Sequence, residues 1–208
     1  IAGKDRFDST SVAAVYGGEL LNPDFKKIKN FKIGLPKEYF VAGLEPAIQT
    51  AIEEAINHLK SLKIEFKEIS LPHTKYAVSC YYILLPAEAS TNLARYDGIR
   101  YARISSLPYD LNLQEIYFKN KGAGFGKEPQ RRIILGTFVL SAGYYDAYYA
   151  KAQKVRRLIK AEFDHVFKNI DVVLTPTSPT TAFKFGEKTQ DPLSMYLADI
   201  YTVSVNLI

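Results

Sequence analysis

Apolar side chains recur along this chain with two periods, and the switches between them outline a fold. Phe31-Lys32-Ile33-Gly34-Leu35 alternates as a short strand and ends at Pro36. Pro46 suits an early helical position after Glu45. Ile48, Ala51, Ile52, Ala55, Ile56, Leu59 and Leu62 follow at helical spacing, which predicts an amphipathic helix over 46–62. Ile64-Glu65-Phe66-Lys67-Glu68-Ile69 then returns to strand character before Pro72. Strand, helix and strand in succession predict a βαβ unit, hence an α/β fold with a parallel or mixed sheet.

The second half reads as mostly helical. Tyr76 to Leu93 is apolar and rich in small residues, predicting a helix broken or kinked near Pro86. Residues 95–126 look irregular except for a short helix around Leu111–Lys119. Arg131–Ser141 is apolar enough for a buried helix. A long helix follows, its stripe made by Tyr145, Tyr148, Ala152, Val155, Ile159, Phe163 and Val166, with Lys151, Lys154, Arg157 and Lys160 opposite. Asp171-Val172-Val173-Leu174-Thr175-Pro176 is nearly all apolar, as for a strand buried on both faces. Thr175–Thr181 leaves that strand's carboxyl end, where open α/β sheets commonly bind ligands, and is a candidate wall of a site. Asp191-Pro192 opens a last helix through about Tyr201. Residues 1–30 read as a connecting segment.

Composition narrows the class. The 208 residues are 47% hydrophobic and 24% charged, which suits a globular domain and excludes a disordered tail or a coiled coil. No apolar run approaches the roughly 20 residues of a membrane span. The chain opens at Ile1, has Met195 as its only methionine, and stops inside the apolar run Val203–Ile208, so it reads as a piece of a longer protein. The net charge of +5 is spread over short clusters, Lys26-Lys27 with Lys29, Arg131-Arg132 and Arg156-Arg157, as on a solvated surface. Cys80 stands alone, which excludes a disulfide framework and fits a reducing compartment, so cytoplasm is expected. His58, His73 and His165 have no partner at metal-ligand spacing, and Gly122-Ala123-Gly124-Phe125-Gly126 lacks the Lys-Ser/Thr of a phosphate loop.

Candidate chemistry rests on charges in apolar company. Arg132 precedes Ile133, Ile134 and Leu135 and needs an anionic partner, either a structural carboxylate such as Asp146 or a ligand carboxylate gripped bidentately. Asp199, flanked by Leu197, Ala198 and Ile200, can hold a ligand ammonium or pair internally. Glu88 reads as structural. Fifteen tyrosines and no tryptophan, with the pairs Tyr81-Tyr82, Tyr144-Tyr145 and Tyr148-Tyr149, supply rings that serve packing or ligand contact alike.

Longer strings carry a resemblance. Tyr81-Tyr82-Ile83-Leu84-Leu85-Pro86-Ala87-Glu88-Ala89-Ser90, Arg131-Arg132-Ile133-Ile134-Leu135-Gly136, Ser141-Ala142-Gly143-Tyr144-Tyr145-Asp146-Ala147-Tyr148-Tyr149 and Asp191-Pro192-Leu193-Ser194-Met195-Tyr196 are similar to the glutaminase-subunit family of bacterial glutamyl-tRNA(Gln) amidotransferases, within the amidase signature group. So are Ala152-Gln153-Lys154-Val155-Arg156, Asp8–Ser11 and Ile33–Phe40, so that the likeness spans essentially the whole chain.

The resemblance implies an α/β fold, here an incomplete piece of the amidase-signature fold with a mixed β-sheet core covered by helices. Residues 1–208 would be the carboxyl-side part of one such domain, with the final segment absent. It also implies a glutaminase that releases ammonia from glutamine through a Ser–cis-Ser–Lys triad. Partner subunits B and C would complete the complex, which converts misacylated Glu-tRNA(Gln) to Gln-tRNA(Gln) with ATP and Mg²⁺ used at the partner subunit. The family's Gly-Gly-Ser-Ser string does not occur here, so the triad is expected upstream of Ile1 with no catalytic residue in this chain, and Ser178 is not nominated as a nucleophile. By position in the matched motifs, Arg132 would hold the α-carboxylate of glutamine, Asp199 its α-ammonium, and Tyr81 would orient the substrate, with Tyr82 the alternative. Two further readings remain: an amidase-signature hydrolase of small-molecule amides, and a non-catalytic scaffold whose basic helix face meets RNA or another protein of the complex.

Overall fold

The computed structural model describes residues 4–13, 22, 24, 30–40, 44–100, 110–188 and 191–208. The Lys26-Lys27 and Lys29 cluster lies outside them. The predicted βαβ unit is present. Strand β1 (Lys32–Pro36) leads through a 3₁₀ turn to helix α1 (Pro46–Ser61), and β2 (Glu65–Ile69) lies parallel to β1 with Ile33 opposite Phe66. Proline at the first helical turn starts α1, where its missing N–H costs nothing, and Lys63 at φ 64° turns the chain out of its last turn. Strand β3 (Val172–Val173) pairs in parallel with the other side of β1, giving the order β2-β1-β3. Only two residues of the 171–176 run enter the sheet, and Val172 is 40% exposed. The prediction of burial on both faces therefore fails, because β3 is an edge strand among the described residues.

Helix α2 (Ala77–Leu93) runs through Pro86 without the predicted break. Pro86 removes the N–H that would bond to the carbonyl of Tyr82, but packing against helix α4 (Lys127–Val139) holds the segment helical. Between them α3 (Leu113–Gly124) is longer than the sequence suggests and begins with a capping box, Asn112 and Glu115 bonding each other's backbone N–H. Helix α4 is not the buried helix predicted. It buries Gly136 and Val139, while Ile134, Leu135 and Phe138 are exposed.

The predicted long helix comes in two parts. Tyr145–Ala150 forms a π-helical turn, and α5 (Lys151–Val166) follows. The predicted stripe holds in α5, where Ala152, Ile159, Phe163 and Val166 are buried, but Tyr145 and Tyr148 are exposed. A π turn changes the rotation per residue, so a 3.6-residue stripe cannot be extrapolated across it. Lys151, Lys154, Arg157 and Lys160 are exposed, as expected for the opposite face. The chain closes with α6 (Pro192–Leu197), capped by Asp191, and α7 (Val203–Leu207). A non-helical turn at 198–202 separates them, so the predicted last helix ends early.

The core gathers around α2 and α5, with Leu71, Ala77, Cys80, Ala152, Ile159, Phe163, Val166, Ile170, Val203 and Leu207 buried together. The Cys80 thiol donates to the carbonyl of Ala152 at 3.2 Å, and burial pushes its pKa up, so it is an inert core residue. No helix among the described residues is long and apolar enough to cross a membrane.

Candidate functional site

Two helices and one turn converge on Tyr82. Tyr82 lies one helical turn before Pro86 on α2, and Arg132 one turn before Gly136 on α4. Pro86 and Gly136 touch where the two helices cross, so the turn preceding each contact presents Tyr82 and Arg132 to one another. The Arg132 Cζ lies 6.0 Å from the centre of the Tyr82 ring. Tyr196 of α6 stacks on Tyr82 with ring centres 4.0 Å apart and planes at 28°. Tyr81 meets Tyr82 edge-on at 5.2 Å and packs against the core.

Asp199 sits in the turn after α6, not on a helix as the sequence suggests. Its N–H bonds to the carbonyl of Tyr196 at 3.2 Å, and its own carbonyl accepts from Thr202 and Val203. Its side chain is exposed, and among the described residues no hydrogen bond or ion pair engages its carboxylate. Asp199 and Arg132 nonetheless act on the same hydroxyl. The Tyr82 pKa is pushed up to about 12, first by burial and then by the charge of Asp199, with Arg132 acting the other way.

The internal partner of Arg132 is Glu128, one turn earlier on α4, and not Asp146. The Arg132 Nε donates to Glu128 Oε1 at 3.0 Å, while Asp146 is exposed on the π turn. The same Glu128 oxygen accepts from the Tyr196 hydroxyl at 3.2 Å, and Oε2 accepts from Arg131 at 2.5 Å. Partial burial works against both charges. The hydrogen bonds and charges of the cluster outweigh it, so the Glu128 carboxyl lies below its ordinary range and the Arg132 guanidinium above its own.

A guanidinium carries five N–H donors. Glu128 takes the Nε edge of Arg132, which leaves the terminal nitrogens for a planar anion such as a carboxylate. Asp199 supplies an anionic charge that acts on the same Tyr82 hydroxyl. A cation and an anion that both act on one tyrosine suit a zwitterion better than a neutral molecule.

The structure thus places Arg132 by the Tyr82 ring, with Tyr81 edge-on to it, and the Asp199 charge acts on the same hydroxyl. Glu88 is exposed on α2 and engages no partner among the described residues, so its predicted structural pairing is not met. The loop 175–181 makes its cross-fold hydrogen bonds to Glu45, whose carboxylate accepts from Thr181 and whose N–H donates to the Pro179 carbonyl. No group of three His, Cys, Asp or Glu side chains suited to a metal gathers among the described residues. Glu128 and Tyr196 were missed by the sequence reading. The i, i+4 spacing of Glu128 and Arg132 was the available signal for the first. Tyr196 stands in a matched motif but is not singled out by its type.

A family model described as Amidase matches residues 1–208. The chain belongs to the amidase family. Among curated proteins, this amidase chain is 56% identical to the A subunit of the glutamyl-tRNA(Gln) amidotransferase of Carboxydothermus hydrogenoformans, over all of the chain and 42% of that protein. It is 53% identical to the counterpart of that protein in Heliobacterium modesticaldum, again covering 42% of the relative. Among solved structures it resembles the A subunit of the Thermotoga maritima glutamyl-tRNA(Gln) amidotransferase, with a TM-score of 0.67 and 37% identity over the whole chain and 39% of that one. The amidase chain therefore spans about two fifths of the length of these relatives.

Proposed function

We propose that this amidase chain is the carboxyl-side part of the glutaminase subunit of a tRNA-dependent amidotransferase, and that it supplies the recognition of glutamine. The observation that supports this reading is Arg132 beside the Tyr82 ring, its terminal nitrogens uncommitted to Glu128, with the Asp199 charge acting on the same tyrosine. Arg132 grips the α-carboxylate, Asp199 holds the α-ammonium, and the Tyr81–Tyr82 pair gives the substrate a rigid wall. The hydrolytic Ser–Ser–Lys triad belongs to the part of the parent protein upstream of Ile1. Ammonia then passes to a partner subunit, where ATP and Mg²⁺ serve the conversion of Glu-tRNA(Gln) to Gln-tRNA(Gln). Subunits B and C complete the assembly, and the cytoplasm is its compartment. The names of the relatives support this reading.

A second reading, a hydrolase of neutral small-molecule amides, leaves both charges idle, which disfavours it. The two separate on substrate analogues assayed with the complete protein. L-Glutamine should be hydrolysed well, whereas glutamine methyl ester, lacking the carboxylate, and glutaramate, lacking the ammonium, should each lose roughly 10- to 100-fold in kcat/KM, the worth of a charge-assisted hydrogen bond. Equal hydrolysis of all three, or of a simple neutral amide, would favour the second reading.

A further inference from the structure

The geometry points to Glu128 as a positioning residue that sets both charged arms of the glutamine site at once. This deepens the reading above and rests on it. One Glu128 oxygen accepts from Arg132 Nε at 3.0 Å and from the Tyr196 hydroxyl at 3.2 Å, so a single carboxylate joins α4 to α6 across 68 positions of sequence. On the α4 side, the bond fixes which edge of the guanidinium faces outward. Guanidinium recognition of a carboxylate is planar and bidentate, so its orientation matters as much as its charge.

On the α6 side, Glu128 holds the Tyr196 hydroxyl while the ring stacks on Tyr82 at 4.0 Å. The Tyr196 carbonyl accepts the N–H of Asp199 at 3.2 Å, so the turn that carries the Asp199 carboxylate is anchored to the residue Glu128 restrains. Helix α6 has only six residues and is followed by a turn, too short a helix to hold its place by propensity alone. The tether to α4 through Tyr196 restrains the turn that carries Asp199. Arg131 takes the remaining oxygen, Oε2, at 2.5 Å, which fixes the plane of the carboxylate. Glu128 itself does not touch glutamine in this scheme; it acts through Arg132 and Tyr196.

The test is a double-mutant cycle on glutaminase activity in the complete amidotransferase, with amide formation from free ammonium measured alongside. Glu128→Ala should raise the glutamine KM roughly tenfold, part of the loss expected from removing the Arg132 contact altogether. Amide formation from ammonium should be unchanged. Glu128→Gln, which keeps an acceptor oxygen, should recover part of the KM, and Tyr196→Phe should cost less than Glu128→Ala. Because Glu128 acts largely through Arg132, adding Glu128→Ala to Arg132→Ala should worsen KM far less than it does in the parent protein. A residue that only supports folding would lower both activities together and would add its full effect in the double variant; either pattern overturns the assignment. An unchanged KM in folded Glu128→Ala overturns it also. If Arg132→Ala leaves the glutamine KM unchanged, the glutamine-binding reading fails, and the assignment of Glu128 falls with it.

Discussion

Gly136 of α4 lies directly against the backbone of Pro86 in α2. A methyl group built on Gly136 would come within 1.9 Å of the Pro86 carbonyl oxygen and 2.5 Å of the Ser90 hydroxyl. The two helices cross at the separation a hydrogen atom permits, and Tyr82 and Arg132 each stand one turn from that point. This tight contact thus lies one turn from two of the site's members.

Replacing Gly136 by Ala should therefore damage both stability and the site. The clash is with backbone, which cannot swing aside, so the cost should be about 3 kcal/mol, the upper part of the range for overpacked cores. Chemical denaturation of the complete protein should show the midpoint falling with little change in slope. A midpoint equal to that of the parent would mean that the helices part freely at this crossing.

Tyr39 and Ser204 form a second long-range tie, their hydroxyls 2.5 Å apart and Ser204 fully buried. Tyr39 also packs on Tyr201 with ring centres 5.5 Å apart, which closes the carboxyl end of the chain over the turn after β1. Tyr39→Phe keeps the ring and strands the buried Ser204 hydroxyl, so it should cost about 1–3 kcal/mol. Tyr39→Phe combined with Ser204→Ala removes both partners and should recover part of that loss. A double variant less stable than Tyr39→Phe alone would contradict the account.

Tyr82 gives the site a spectroscopic handle. Its pKa of about 12 stands above the ordinary tyrosine value near 10, with burial the main cause and Asp199 adding to it. Because the folded-state value is the higher one, the stability linked to its protonation is complete below about pH 10 and is lost as pH rises toward 12. Phenolate absorbance, taken as the difference between the parent protein and Tyr82→Phe, should titrate late. Asp199→Asn should bring that titration down, and Arg132→Ala should push it further up. Shifts of the opposite sign would show that these charges do not face Tyr82.

Much of this was legible in the sequence where a single period governs a segment. The strand at Ile33–Leu35, the extent of α1 and the buried positions Ala152, Ile159, Phe163 and Val166 follow from local spacing, although α1 buries none of its predicted stripe fully and Phe31 is exposed. The stripe failed at Tyr145 and Tyr148 because a π turn changes the phase, something apolar spacing does not encode. Val172 and Ile134 were predicted buried because they are apolar, yet an edge strand and a helix packed through one glycine leave them exposed. Arg132 and Asp199 stood out as charges among apolar neighbours. Glu128 did not, because a carboxylate in the first turn of a helix is commonplace. Its bond to Tyr196 spans 68 positions, and only the folded chain brings the two together.

If Arg132 grips glutamine as proposed, the glutamine KM of Arg132→Ala in the complete amidotransferase, measured beside amide formation from free ammonium, reports it directly. The predicted result is a KM raised roughly 10- to 100-fold with the ammonium-dependent reaction intact, as expected for the loss of one charge-assisted contact. An unchanged glutamine KM in a folded variant would contradict the account.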